Sequence, residues 1–74
     1  MKPEIENAIR AVARRCRDEI IAARKGHPAS EYDQITTPIV NKHAATITAL
    51  PLGKFSARLW LCYFVRVVDS EARQ

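Results

Sequence analysis

The chain has 74 residues, of which 47% are hydrophobic and 27% charged, and its formal net charge at pH 7 is +4. A chain of this length forms at most one domain with a thin core, and this composition excludes an intrinsically disordered tail. The positive charge permits nucleic acid, an acidic protein or an anionic membrane as a partner, and it requires none of them.

The first predicted element is a helix over residues 3–25. Pro3 suits the first helical turn, because a backbone N–H would have no partner there. Gly26 is well placed to end the helix, and Pro28 prevents it from resuming. Apolar residues recur every three or four positions and share one face: Ile5, Ile9, Val12, Cys16, Ile20 and Ala23. This face is predicted to be buried.

The middle of the chain contains a connector and a second, shorter helix. Residues 27–37 form the connector, which has room for one short helical turn of its own. Thr37 followed by Pro38 is typical of a helix N-cap and first helical position, so this pair predicts a helix over residues 38–49. The β-branched residues at 46–48 also suit a short strand, which stays open as an alternative.

The last predicted element is a helix over residues 55–72, after a turn at residues 51–54. Ser56 is its predicted N-cap. As a strand, the same segment would be apolar on both faces, and a chain this small has little protein to cover both. As a helix, it has one apolar face that contains Trp60, Leu61, Phe64, Val67 and Val68.

These elements predict a small all-α fold with three helices in a single domain over residues 1–74. The alternative is an α+β fold in which residues 44–68 form strands. The aromatic side of the third helix is broad for so small a domain, so it is expected to form either the core or the self-interface of a homodimer. The residues assigned to this role are Trp60, Tyr63, Phe64 and Val67.

A row of basic residues lies on the first helix, opposite its apolar face. Arginine suits bidentate contact with phosphate or carboxylate, although Asp18 interrupts the row. An exposed isoleucine within the row favours a protein partner, because phosphate gains nothing from an apolar neighbour. We therefore expect a protein partner with an acidic surface, and nucleic acid is the alternative. The predicted partner-binding residues are Arg10, Arg14, Arg17, Ile21 and Arg24.

The sequence contains no pattern that indicates a metal site or a catalytic site. Structural zinc sites usually contain local pairs of ligands, which the candidates Cys16, His27, His43 and Cys62 do not form. No glycine-rich phosphate loop or nucleophile motif occurs either. We therefore predict no metal, no cofactor and no enzymatic activity, with Cys16 as a buried free thiol.

Other features bear on compartment and on DNA binding. Residues 1–10 lack the apolar stretch of a signal peptide, and the longest apolar run, residues 59–65, is shorter than the roughly 20 residues that span a bilayer. With only two cysteines, these features favour a cytoplasmic protein without a membrane partner. The spacing of Ala49 and Gly53 matches part of a helix-turn-helix, but Pro51 interrupts it.

The sequence therefore predicts a small non-enzymatic binding protein. Its leading functional hypothesis is a regulator, adaptor or inhibitor that binds another protein through the basic face of the first helix. Homodimerisation through the third helix is compatible with this hypothesis. Nucleic-acid binding by the same arginines remains the rival hypothesis.

Overall fold

The computed structural model describes residues 1–74 and contains three α-helices and no strand. The helices are α1 (Pro3–Arg24), α2 (Tyr32–Ala45) and α3 (Ala57–Ala72), with a single 3₁₀ turn at Ala29–Glu31 before α2. The predicted all-α fold is confirmed, and the α+β alternative with strands in residues 44–68 is wrong. No helix is long and apolar enough to span a membrane.

The first helix begins as predicted and ends one residue earlier than predicted, and of its predicted buried face Ile5 and Ala23 are only half-buried. Pro3 occupies the first turn, and Glu4 and Glu6 lie where the positive end of the helix dipole favours acidic side chains. After the helix ends, Gly26 has a φ of 82°, a left-handed conformation that glycine adopts without strain. The buried residues of α1 are Ile9, Val12, Ala13, Cys16 and Ile20, which pack against both other helices.

The second helix begins at Tyr32 and contains Pro38 in its interior, so the prediction that Thr37 and Pro38 begin it is wrong. A proline inside a helix loses one backbone hydrogen bond, at a cost of about 3 kcal/mol. Starting the helix earlier places Ile35 against the core and Thr36 beside α1. These contacts with the rest of the fold offset the cost of the proline.

The second helix ends at Ala45, before the β-branched run that was predicted to be helical or extended. The hydroxyl of Thr46 donates to the carbonyl of His43 at 2.7 Å, and that of Thr48 donates to the carbonyl of Ala45 at 3.0 Å. Thr48 thus bonds a carbonyl group that the end of the helix leaves without a partner, whereas the His43 carbonyl also accepts from the backbone N–H of Thr46 at 3.0 Å. Ile47, between the two threonines, is almost completely buried and anchors the turn.

The third helix begins as predicted, because the Ser56 hydroxyl oxygen accepts a hydrogen bond from the backbone N–H of Leu59 at 3.1 Å. The Trp60 indole N–H donates to the carbonyl of Leu52 at 2.7 Å and ties the preceding loop to α3. That loop runs from Thr46 to Ser56, longer than the three- or four-residue turn of a helix-turn-helix, so the helix-turn-helix alternative is wrong.

The core is made of twelve buried residues, all of them hydrophobic. All three helices contribute, and no buried side-chain nitrogen or oxygen atom lacks a hydrogen-bond partner. The core is therefore complete without any of the charged side chains. Its members outside α1 are Ile39, Val40, Ala44, Ile47, Leu61, Phe64 and Val68.

Candidate functional site

Two arginines of the predicted row hold α1 against α3. The Nη1 atom of Arg10 lies 3.1 Å from both carboxylate oxygens of Glu71, and its guanidinium lies 5.5 Å from the ring centre of Phe64. The Nε atom of Arg17 donates to Oδ1 of Asp69 at 2.9 Å. Both guanidinium groups are half-buried at the boundary between the two helices, and each already has a carboxylate partner.

A third arginine of the row holds α1 against α2. Arg24 donates from Nε and Nη2 to the hydroxyl oxygen of Thr36, at 3.1 and 2.8 Å. Its guanidinium also lies 4.5 Å from the ring centre of Tyr32. Stacking and two hydrogen bonds fix the plane of this guanidinium, but its hydrogen-bond partner is neutral.

The predicted row is therefore exposed in only two of its five members. Arg14 is exposed without an ion pair, and the side chain of Ile21 is 50% exposed, as expected. Arg10, Arg17 and Arg24 are half-buried against neighbouring helices, because long side chains at the edge of an apolar face extend along adjacent elements. Partner binding by this row stays a prediction.

Three large apolar side chains, two on α3 and one in the turn just before it, form a second exposed feature. Phe55, Leu59 and Tyr63 are 51%, 54% and 55% exposed, and we call them the α3 stripe. Leu59 and Tyr63 are four residues apart on α3, which places them next to each other, and Phe55, in the turn before the helix, contacts the ring of Trp60. Arg66 follows Tyr63 by three residues and is exposed without an ion pair.

The residues predicted to form the core or self-interface occupy three different environments. Phe64 belongs to the core, Trp60 and Val67 are half-buried at its edge, and Tyr63 is exposed. Phe55 and Leu59 were not among the residues predicted from the sequence to form an interface. The four-residue spacing between Leu59 and Tyr63 is a signal that could have found Leu59, whereas Phe55 lies before the helix.

The aromatic members of the α3 stripe are held by Trp60. Its ring meets those of Phe55 and Tyr63 edge to face, with centres 5.5 and 6.2 Å apart, and stacks on Phe64 at 6.0 Å. Such geometries add to the stability that buried area alone provides. The exposed rings are thus positioned by a packed cluster beneath them.

A charged cluster between α1 and α2 is centred on Glu19. Its carboxylate accepts from the Nζ atom of Lys42 at 2.6 Å and lies 2.9 Å from Nε2 of His43. Hydrogen bonds from Lys42 and then His43 hold the pKa of Glu19 below its ordinary value. The cluster therefore stabilises the contact between the two helices while Glu19 is ionised.

Asp69 stabilises the contact between α1 and α3 while it is ionised, as Glu19 does for the contact between α1 and α2. The hydrogen bond from Arg17 lowers the pKa of Asp69, and Arg73, whose Nη2 lies 3.1 Å from Oδ2, lowers it further. Asp69 is thus held between two guanidinium groups that come from different helices. Its charge is needed for this arrangement.

Lowering the pH from about 5 to about 2 should lower the free energy of unfolding. A carboxyl group whose pKa is lower in the folded than in the unfolded protein stabilises the fold when the pH is above its ordinary pKa. This stabilisation is lost as the pH falls through the pKa of the group in the folded protein. Urea unfolding followed by circular dichroism at a series of pH values measures this loss. A Glu19→Gln, Asp69→Asn double variant should be less stable at pH 7 and depend less on pH. An unchanged pH dependence in this variant would contradict the assignment to these two groups.

The candidate metal ligands do not form a cluster. The structure contains no group of three or more His, Cys, Asp or Glu side chains that could hold a metal ion. Both cysteines are free: Cys16 is completely buried, as predicted, and Cys62 is half-buried. Burial raises the pKa of Cys16 to about 11, so this thiol is protonated and unreactive near neutral pH.

Comparison with known proteins gave no match to a protein-family model and no significant match to a curated protein or a solved structure. Function is therefore inferred from the physical chemistry of the chain itself. The α3 stripe and the arginines around α1 are the two surface features from which such an inference can start.

Proposed function

We propose that the chain is a non-enzymatic protein-binding domain, a regulator, adaptor or inhibitor, which contacts its partner through the α3 stripe. The observation that carries this proposal is that Phe55, Leu59 and Tyr63 are each about half exposed although the core is complete without them. Contiguous exposed apolar side chains are typical of interaction surfaces. Aromatic residues, in particular, are frequent among those that dominate binding energy.

The charge around the α3 stripe favours a partner with an acidic surface. Arg66, beside the stripe, has no carboxylate partner, and Arg58 bonds only the neutral side chain of Asn41, at 3.2 Å. The whole chain carries a net charge of +4. A second copy of the chain would bring another Arg66 to the same interface, where like charges repel. A hydrophobic surface bordered by carboxylates fits better.

Nucleic-acid binding by the arginine row has less support. Arg10 and Arg17 each hydrogen-bond a carboxylate on α3, so a phosphate would have to replace contacts that stabilise the fold. Of the row, Arg14 alone is both exposed and without an ion pair. A single free arginine supplies few of the phosphate contacts from which affinity for nucleic acid arises.

Replacing Leu59 with aspartate should abolish partner binding while the protein stays folded. The substitution puts a charge in the middle of the α3 stripe, where an interface would bury it, but it removes no core contact. The test is capture from host lysate on immobilised wild-type and variant protein, with circular dichroism to check folding. The expected result is that proteins retained by the wild type are lost with Leu59→Asp.

Ile21→Asp is the matched control, because Ile21 is 50% exposed, nearly as exposed as Leu59, but lies on α1 and is not a member of the α3 stripe. Capture should survive this change. Loss of capture with Ile21→Asp alone would overturn the proposal and return the partner site to α1. Retention of the same proteins by Leu59→Asp would also overturn the proposal. Sedimentation equilibrium tests a third outcome: if the wild type associates with itself and Leu59→Asp abolishes this association, the α3 stripe binds a second copy of the chain and the proposal is wrong.

A further inference from the structure

A groove of about 470 Å³ lies where the three helices meet, and we call it the three-helix groove. Side chains from the C-terminal half of α1, from α2 and from α3 line it. Its volume falls within the range of about 300–1,000 Å³ that is typical of small-molecule sites. The charged side chains that line it are Arg17, Arg24, Arg66, Arg73 and Asp69.

The three-helix groove has an excess of positive charge. Asp69 is its one carboxylate, and both Arg17 and Arg73 bind it, at 2.9 and 3.1 Å. Arg66 forms no ion pair, and Arg24 bonds only a neutral hydroxyl. Four guanidinium groups therefore share one carboxylate, which favours an anion as the occupant.

Arg24 is positioned in advance for such an anion. Two of its nitrogens are bonded to Thr36, and its guanidinium is stacked on Tyr32. A guanidinium has five N–H donors, so others remain for a ligand. Because the side chain is already ordered, little conformational entropy would be lost when a ligand binds.

The remaining wall of the three-helix groove is apolar. Ile20 and Val40 belong to the core, Val65 packs against it, and Ile21 extends from α1 at the rim. Ile20 and Val40 are buried, so a bare inorganic anion would leave mainly Ile21, which is 50% exposed, and the half-buried Val65 in contact with water. An aliphatic body attached to the anion would cover them and gain about 25 cal/mol for each Å² of apolar surface removed from water.

We propose that the three-helix groove binds a small organic anion with an aliphatic body, such as a medium-chain carboxylate. The carboxylate is placed at Arg24 and Arg66, and the aliphatic chain lies over Ile21 and Val65. This site goes beyond the proposed protein-binding function. Its lining includes Arg66, which also borders the α3 stripe, but none of the three members of that stripe, so a change at Leu59 separates the two functions.

Cys62 provides a direct measure of occupancy. It is half-buried and lines the three-helix groove, whereas Cys16 is completely buried. Alkylation by N-ethylmaleimide, followed by mass spectrometry, therefore reports access to Cys62. Octanoate should slow this reaction several-fold in a saturable way. Octanol, which lacks the charge, and acetate, which lacks the aliphatic chain, should slow it little.

Two variants connect the protection to the proposed contacts. Arg66→Gln should weaken the apparent affinity for octanoate roughly tenfold, as expected for the loss of one charge-assisted hydrogen bond. Arg15→Gln is the matched control, since Arg15 is exposed on α1 and lines no described groove, and it should leave the affinity unchanged. Leu59→Asp should also leave protection intact, which separates this test from that of the protein-binding surface.

Three results would overturn the proposal. Absence of protection by octanoate would show that no such ligand binds in the three-helix groove. Equal protection by octanol would show an apolar surface without anion recognition. Equal weakening by Arg66→Gln and Arg15→Gln would show a general effect of net charge and not a contact made by Arg66.

Discussion

Replacing Leu61 with alanine should lower the free energy of unfolding by about 2–5 kcal/mol. Leu61 is completely buried in α3 and contacts the core formed by all three helices, so the substitution leaves a cavity that the helices cannot fully close. Domains of this size have total stabilities of only about 5 kcal/mol or a little more. The variant should therefore keep at most about 3 kcal/mol of stability, and a loss at the upper end of the range would unfold it. Urea and thermal unfolding followed by circular dichroism at 222 nm measure the change.

Leu59→Ala is the matched control for this prediction. It makes the same chemical change in the same helix, but the side chain of Leu59 is 54% exposed. Its effect on stability should stay within about 0.5 kcal/mol, as for most surface positions. Similar losses of stability in the two variants would mean that Leu59 is buried in solution, for example in a dimer, and would contradict the described arrangement of α3.

Replacing Trp60 with alanine should have the second largest effect, about 2–3 kcal/mol. The indole is half-buried, so its removal costs less than the roughly 3–5 kcal/mol of a fully buried tryptophan. The change removes the hydrogen bond to Leu52 and the ring on which Phe55, Tyr63 and Phe64 pack. Urea unfolding measures the loss. Circular dichroism is the signal, because Trp60 is the only tryptophan and the variant has no tryptophan fluorescence to follow.

Trp60→Phe separates the hydrogen bond from the packing. Phenylalanine keeps an aromatic ring in the cluster and loses the N–H, so the variant should lose about 1 kcal/mol. Because Trp60 positions two members of the α3 stripe, Trp60→Ala should also weaken partner capture, and Trp60→Phe should largely preserve it. Equal stability of the two variants would indicate that the ring itself contributes nothing to the fold.

The elements that could be predicted from the sequence are those that depend on local signals. The start and end of α1 follow from Pro3 and Gly26, and the start of α3 follows from Ser56, whose cap bond joins residues three positions apart. The start of α2 depends on contacts between Arg24, Thr36 and Tyr32. Those contacts arise only after α1 and α2 have packed together, so the local pattern around Pro38 indicated the wrong boundary.

The candidate site shows the same limit. A helical projection of α1 correctly groups its arginines. It cannot show that Arg10 contacts Glu71, 61 residues further along the chain, or that Arg17 contacts Asp69, 52 residues further along. The exposure of Ile21 could be predicted, because it depends only on its position in α1. The three-helix groove could not be predicted, since its lining comes from three separate helices.

These distant ion pairs also affect the order in which the domain can form during synthesis. Arg10 and Arg17 are synthesised before their partners, since Glu71 and Asp69 belong to the last turns of α3. The buried face of α1 likewise depends on Leu61, Phe64 and Val68 for cover. We therefore expect α1 and α2 to remain without stable packing while the ribosome is still adding α3. The domain then folds as one unit after its final helix has emerged.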